Sequence, residues 1–173
     1  SGLISLLGGK WTTYRLMAQD TCDAICEILN NKNDCKTKEF KLLGSQSVFQ
    51  LKRPENFPLE CFEHLKNSYG DQTPKILNII EDRPTLLAKI HLDYPFIQAE
   101  VVYACQNEMA QTVRDFFARR TRWEILDWNA CIASIETVAE LMQEALGWDA
   151  EQKKLEAESY KVLLEKFQIV ASS

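Results

Sequence analysis

Apolar residues recur at helical spacing along most of this chain, and the breaks between runs carry proline, glycine or a capping residue. The exception comes first. Leu3–Leu7 is a short apolar run that predicts a strand, followed at once by Gly8, Gly9 and Lys10 and then by a helix. That helix takes Thr12 or Thr13 as its N-cap and runs to about Leu29, with Met17, Thr21, Ala24, Ile25 and Ile28 on one stripe. Asn30–Asp34 stops it. Residues 32–57 read as a loose connection with two extended segments, Phe40–Leu43 and Val48–Leu51.

From Pro58 the punctuation is regular. Pro58 opens a helix bearing Phe62, Leu65 and Tyr69, closed by Gly70. Thr73-Pro74, a cap followed by the first helical residue, opens another with Ile76, Leu77 and Ile80, and Pro84 a weaker turn from Leu86 to Ile90. Asp93-Tyr94-Pro95 is expected to start a helix whose Phe96, Ile97, Ala99, Val101, Val102, Ala104 and Cys105 cover nearly every side, the mark of a central element. Met109, Val113, Phe116 and Phe117 define an amphipathic helix ending at Arg119-Arg120-Thr121-Arg122, and Trp123–Asp127 makes a bridge. Asp127 caps a long helix with Ile132, Ile135, Val138, Ala139, Met142 and Leu146, closed by Gly147. Asp149 with Gln152 forms a variant capping box before a last helix bearing Leu155, Val162, Leu163 and Phe167. The pattern predicts an all-α fold, a compact orthogonal domain of six or seven helices preceded by one short orphan strand.

Composition narrows the function classes. With 173 residues, 46% hydrophobic, the chain can bury a sizeable core, and six glycines with five prolines suit helices better than a turn-rich β fold. A net charge of −5 argues against nucleic acid as a partner, because phosphate neutralisation needs a basic surface. No transmembrane segment and no secretory signal is expected: Leu3–Leu7 is too short for either. A lone strand leaves its backbone unpaired, and Ser1 stands where an initiator Met would be, so the chain reads as a fragment of a larger protein. The six cysteines, Cys22, Cys26, Cys35, Cys61, Cys105 and Cys131, lack a secretory setting and are expected to be free and mostly buried. His64 and His91 stand isolated, which leaves zinc without a ligand set.

Candidate chemistry concentrates at Gly8-Gly9-Lys10-Trp11-Thr12-Thr13. A phosphate-binding P-loop is excluded, since Ile4 and Trp11 occupy the positions that need Gly and Ser or Thr. What remains is two glycines that admit close backbone approach, a lysine, and a helix start with partial positive charge, a combination suited to an anion or to the electron-rich edge of a cofactor. It equally describes a tight turn with an exposed lysine. The Arg119–Arg122 cluster fits phosphate or acidic partners, yet also a helix C-terminus that favours cations. Glu100, Glu108 and Glu124 read as scattered solvated carboxylates, and His91 as structural.

The segment SGLISLLGGKWTTYRLMAQD resembles the stretch leading from the flavin domain into the C-terminal domain of FAD-dependent glycerol-3-phosphate dehydrogenases and alpha-glycerophosphate oxidases. AEVVYACQNEMAQTVRDFFARRTRWEILD and VAELMQEALGWDAEQKKLEAESY resemble the same domain in the same order. The resemblance implies a parent oxidoreductase that converts sn-glycerol 3-phosphate to dihydroxyacetone phosphate, with FAD accepting the hydride and quinone or another acceptor taking the electrons. It implies residues 1–11 as the end of the flavin domain, 12–57 as a connecting helix and linker, and 58–173 as the helical C-terminal domain. Gly8, Gly9, Lys10, Trp11, Thr12 and Thr13 then face the cofactor, and Lys10 meets the substrate. Trp11 stands where a smaller apolar residue is more usual. The chain's own N-terminal flavin domain is its implied partner, and its setting is cytoplasmic or peripheral at the inner membrane. No G-x-G-x-x-G occurs here, so the chain alone is expected to be inactive. Two other functions fit the residues: a non-catalytic helical interaction module, and the C-terminal domain of a different flavin oxidoreductase.

Overall fold

A computed structural model describes residues 2–31, 33–46, 48 and 50–171. It separates into two compact units, Ser1–Leu42 and Leu43–Ser173.

In the first unit, residues 2–10 form no strand, in contrast to the expectation at Leu3–Leu7. A strand exists by pairing, and this run takes part in no β-bridge among the described residues. A single 3-10 turn, Trp11–Thr13, leads into α1, Tyr14–Ile28. The stripe expected along α1 buries nothing completely; Met17 and Thr21 are half-buried, while Ile25 and Ile28 stay exposed. The helix ends as the polar run predicts. Asn30 takes a left-handed φ of 53°, and the Asn31 N–H donates to the Cys26 carbonyl at 2.8 Å. Lys32 of that run and Phe49 of the predicted segment Val48–Leu51 lie outside the described residues. The Leu51 N–H donates to the Val48 carbonyl at 2.9 Å, and Phe40–Leu43 is irregular rather than extended.

The second unit holds α2 (Leu59–Tyr69), α3 (Thr73–Asp82), α4 (Gln98–Asn107), α5 (Trp128–Leu146) and α6 (Ala150–Ala171). The fold is all-α: its described residues form no sheet, only an isolated antiparallel bridge between Lys89 and Ile97. α4 is central, packed between α3 and α5, and α6 lies along α5. Every residue from Ala99 to Cys105 is buried, as an apolar circumference requires. Trp123, Phe116, Phe117, Ile97, Val101 and Met142 are fully buried in the same core.

Several boundaries follow local chemistry. The Asp127 carboxylate accepts the Ala130 N–H at 3.0 Å and caps α5, and Gly147 ends it with φ 70°. Gly70 ends α2 where a β-carbon would collide with the carbonyl oxygens of Gly44 and Gln46, so the chain after Leu43 crosses directly over this turn. Asp149 caps Gln152 N–H at 2.7 Å, but the Gln152 side chain turns to Glu156 and leaves the box one-armed.

Other boundaries differ from the pattern. Asp93-Tyr94-Pro95 does not start α4; it lies in a turn, because the Ile90 N–H bonds the Phe96 carbonyl and the Gln98 N–H bonds the Ala88 carbonyl. The Glu100 carboxylate accepts the Ile97 N–H at 2.8 Å and fixes the helix start there. Thr73 is the first residue of α3 rather than its cap, and its buried hydroxyl donates to the Leu65 carbonyl of α2 at 3.0 Å. Met109 is 81% exposed with φ 58°, outside the helix expected to contain it. That helix is a short π-helical turn, Asp115–Arg120, begun by Thr112 and Asp115, which each accept the other's backbone N–H. In α6 the core residues are Ala157, Tyr160 and Leu164, with Leu155 and Val162 on the exposed side.

Candidate functional site

The six residues singled out at the N-terminal turn lie together on one exposed loop-to-helix junction. Gly8 and Gly9 take φ of 80° and 110°, which only glycine adopts at ease. The two differ in surroundings. A β-carbon on Gly9 would collide with the Met17 side chain, which folds back from α1, whereas the space beside Gly8 is open. Lys10 is extended and exposed, and Trp11 is 89% exposed.

The helix start itself is unusual. Thr13 occupies the N-cap position, yet its hydroxyl donates backward to the Lys10 carbonyl at 3.0 Å instead of accepting a forward amide. Its own N–H bonds the same oxygen at 3.0 Å. No side chain caps the 3-10 turn or α1, and α1 has no acidic residue in its first turn. Its leading amides and partial positive charge therefore have no internal anion to satisfy them. Such a junction accepts an anion or a polarised carbonyl edge without displacing any cap, and a lysine beside it adds a full charge.

In the second unit, the carboxylates that read as solvated are mostly not. Glu100 has 0% exposure and accepts three hydrogen bonds: from His64 Nε2 at 2.8 Å, Tyr69 Oη at 2.9 Å and the Ile97 N–H. Burial, followed by the Glu100 charge, holds the Tyr69 hydroxyl well above its ordinary range, so it stays a donor. Ser68 Oγ lies 3.3 Å from His64 Nδ1, but the carboxylate at the other end of this relay is committed to α4's own start and to Tyr69. The network joins α2 to α4 and acts as a fastening. Glu124 is buried as well, gripped by Arg114 through Nε at 3.0 Å and Nη2 at 3.1 Å. The sequence held a signal for Glu100: a charge inside a helix apolar on all sides has nowhere to go but the core.

The arginine cluster is largely neutralised from within. Arg119 pairs with Asp115 at 2.6 Å and Arg120 with Glu108 at 3.3 Å, so acidic side chains take the place a phosphate would need. Burial raises the Glu108 carboxyl against the opposing pull of Arg120. His91 packs edge-on against Trp123 and beside Tyr94, a structural position. All six cysteines are free thiols, but only Cys61, Cys105 and Cys131 are buried; Cys22 and Cys26 on α1, which buries none of its residues, are exposed and half-buried, and Cys35 on the loop after it is exposed. Burial pushes the Cys105 thiol up to about 11 and the Cys131 thiol up to about 12, leaving both inert. Among the described residues no three His, Cys, Asp or Glu side chains group to hold a metal, and no helix is long and apolar enough to cross a membrane.

Comparison with known proteins adds a family. The chain is 36% identical over 164 residues to a probable mitochondrial glycerol-3-phosphate dehydrogenase of Dictyostelium discoideum, covering 90% of this chain and 25% of that protein. The mitochondrial glycerol-3-phosphate dehydrogenase of Arabidopsis thaliana is 31% identical over 187 residues, covering 96% and 30%. That of Mus musculus is 34% identical over 169 residues, covering 92% and 23%. This chain thus spans about a quarter of the length of the curated relatives it matches. No solved structure matches it. The family described as the C-terminal domain of alpha-glycerophosphate oxidase matches residues 35–153, from the loop after α1 into the start of α6, and the chain belongs to that family.

Proposed function

We propose that the chain is the C-terminal part of an FAD-dependent enzyme that oxidises sn-glycerol 3-phosphate to dihydroxyacetone phosphate. The observation that carries this reading is the family match over residues 35–153, flanked by an uncapped helix start that bears a lysine. The relatives' names favour a mitochondrial setting over a cytoplasmic one.

FAD, when bound, supplies the hydride acceptor. The residues here suit its negative edge: Gly8 leaves room for close approach, and the uncapped amides from Trp11 onward stabilise charge as it develops. The backward-turned Thr13 hydroxyl matters to this role, since a forward cap would occupy the amides first. Lys10 binds the substrate phosphate. A small dianion needs cationic partners, and the helix start already serves the cofactor. The rest of the site belongs to the enzyme's flavin domain, and quinone or another acceptor takes the electrons onward.

Lys10→Met in the full-length enzyme tests the assignment. Loss of one partner of a desolvated charge pair is expected to remove about 2–5 kcal/mol of binding and transition-state stabilisation, read as a raised KM and a lowered kcat/KM. A fall in kcat with KM unmoved would reassign Lys10 to the cofactor edge. Unchanged kinetics would return it to a turn.

A further inference from the structure

A cleft of about 620 Å³ runs along one face of α1, entirely within the first unit. Three of the six cysteines line it: Cys22 and Cys26 from successive turns of α1, and Cys35 from the loop that returns along the helix after Asn30. Cys26 and Cys35 also line an adjoining polar cleft with Gln19, Asp23 and Glu27, in which Cys22 has no part. The oxidation of glycerol 3-phosphate makes no use of these thiols.

Local hydrogen bonds distinguish Cys35 from the other two. Its Sγ lies 3.0 Å from Thr37 Oγ1, and Arg15 Nη1 donates to that same oxygen at 3.2 Å while also bonding Gln19 Oε1 at 2.9 Å. With its oxygen accepting from a guanidinium, the Thr37 hydroxyl has its one proton to give to the sulfur. A donor aimed at sulfur favours the thiolate, which is the nucleophile. The Thr37 hydroxyl accordingly holds the Cys35 thiol below its ordinary range, with Arg15 adding to the effect. An exposed, donor-stabilised sulfur lining the same two clefts as a second thiol is the arrangement of a site that oxidises reversibly.

We propose that Cys35 is a peroxide-reactive thiol and that Cys26 resolves it as a Cys26–Cys35 disulfide. The Cys35 thiolate attacks one oxygen of a hydroperoxide, the O–O bond breaks, and the leaving oxygen departs as water or an alcohol after protonation. The sulfur is left as a sulfenic acid. The Cys26 thiol then attacks that sulfur, the S–OH bond breaks, and a second water leaves with the Cys26 proton. Two thiols are oxidised and one peroxide reduced. The bond ties the loop bearing Cys35 to α1.

The test uses the reduced 173-residue chain and hydrogen peroxide, with dimedone to trap sulfenic acid and mass spectrometry of tryptic peptides. Cleavage after Arg15, Lys32 and Lys36 places Cys22 and Cys26 on one peptide and Cys35 on another. Wild type is expected to yield the linked pair of peptides. Cys22→Ser should keep the link, Cys35→Ser should lose it, and Cys26→Ser should lose it while accumulating dimedone on Cys35. Thr37→Val should slow alkylation of Cys35 at pH 7 by about fivefold, as expected when thiolate character falls. Circular dichroism confirms that each variant is folded. A link that persists in Cys26→Ser would overturn the assignment of the resolving thiol, and Cys35 labelled no faster than Cys22 would overturn the site.

Discussion

Single residues define the two features of this chain that matter most, and they do so in opposite ways. At the N-terminal turn, Thr13 leaves amides unsatisfied; in the core, Glu100 leaves nothing unsatisfied. Glu100 holds three donors, two from α2 and one from the residue before α4, so its removal leaves the half-buried His64 Nε2, the buried Tyr69 hydroxyl and the Ile97 N–H without this partner. Glu100→Ala should therefore destabilise the chain by about 3–5 kcal/mol, the range for breaking a buried polar pair. Glu63→Ala on the exposed face of α2 removes only a pair with Lys66 and should cost less than about 1 kcal/mol. Urea denaturation reads both, and equal losses would show that the Glu100 network contributes little. Glu100 was legible only as a contradiction, a carboxylate in an apolar run. Its partners His64 and Tyr69 lie 36 and 31 residues away, where no local rule reaches. Asp127, Gly70 and Gly147 were legible because a cap or a left-handed turn is decided within four residues.

Elements divide along the same line. The helices from α2 to α6 announce themselves by period, and α4 by being apolar throughout. Pro95 misleads because a proline is equally at home in a turn, and the pairing of Ile90 with Phe96 settles the matter across six residues. The junction before α5 offers a clean test of an element's start. The Ala130 N–H, and after it the Tyr94 hydroxyl, hold the Asp127 carboxyl below its ordinary range. The unfolded chain thus binds this proton more readily than the folded one. The stabilisation is fully present above the unfolded value of about 3.9 and is lost as pH falls through the lower folded value. Asp127→Asn keeps the cap's oxygen and removes its charge. Its Tm should fall below wild type from pH 7 down to about 5, and the two curves should converge below about pH 3. A constant gap across that range would mean that shape, not charge, sets the effect.

At the scale of the molecule, the chain is a helical unit joined to a short segment carrying one exposed helix and one exposed turn. The exposure of Leu3, Leu7 and Trp11 suits a segment completed by other chain, here the proposed flavin domain. The isolated 173-residue chain should accordingly purify colourless and leave glycerol 3-phosphate unoxidised; stoichiometric flavin bound to it would refute that division of labour. The central claim, that this domain belongs to an enzyme that moves a hydride from glycerol 3-phosphate to a flavin, is tested most directly by absorbance. The full-length enzyme, freed of oxygen, should lose its flavin band near stoichiometrically on adding glycerol 3-phosphate and keep it on adding glycerol, which lacks the phosphate that Lys10 is proposed to bind. Bleaching by both, or by neither, would contradict the account.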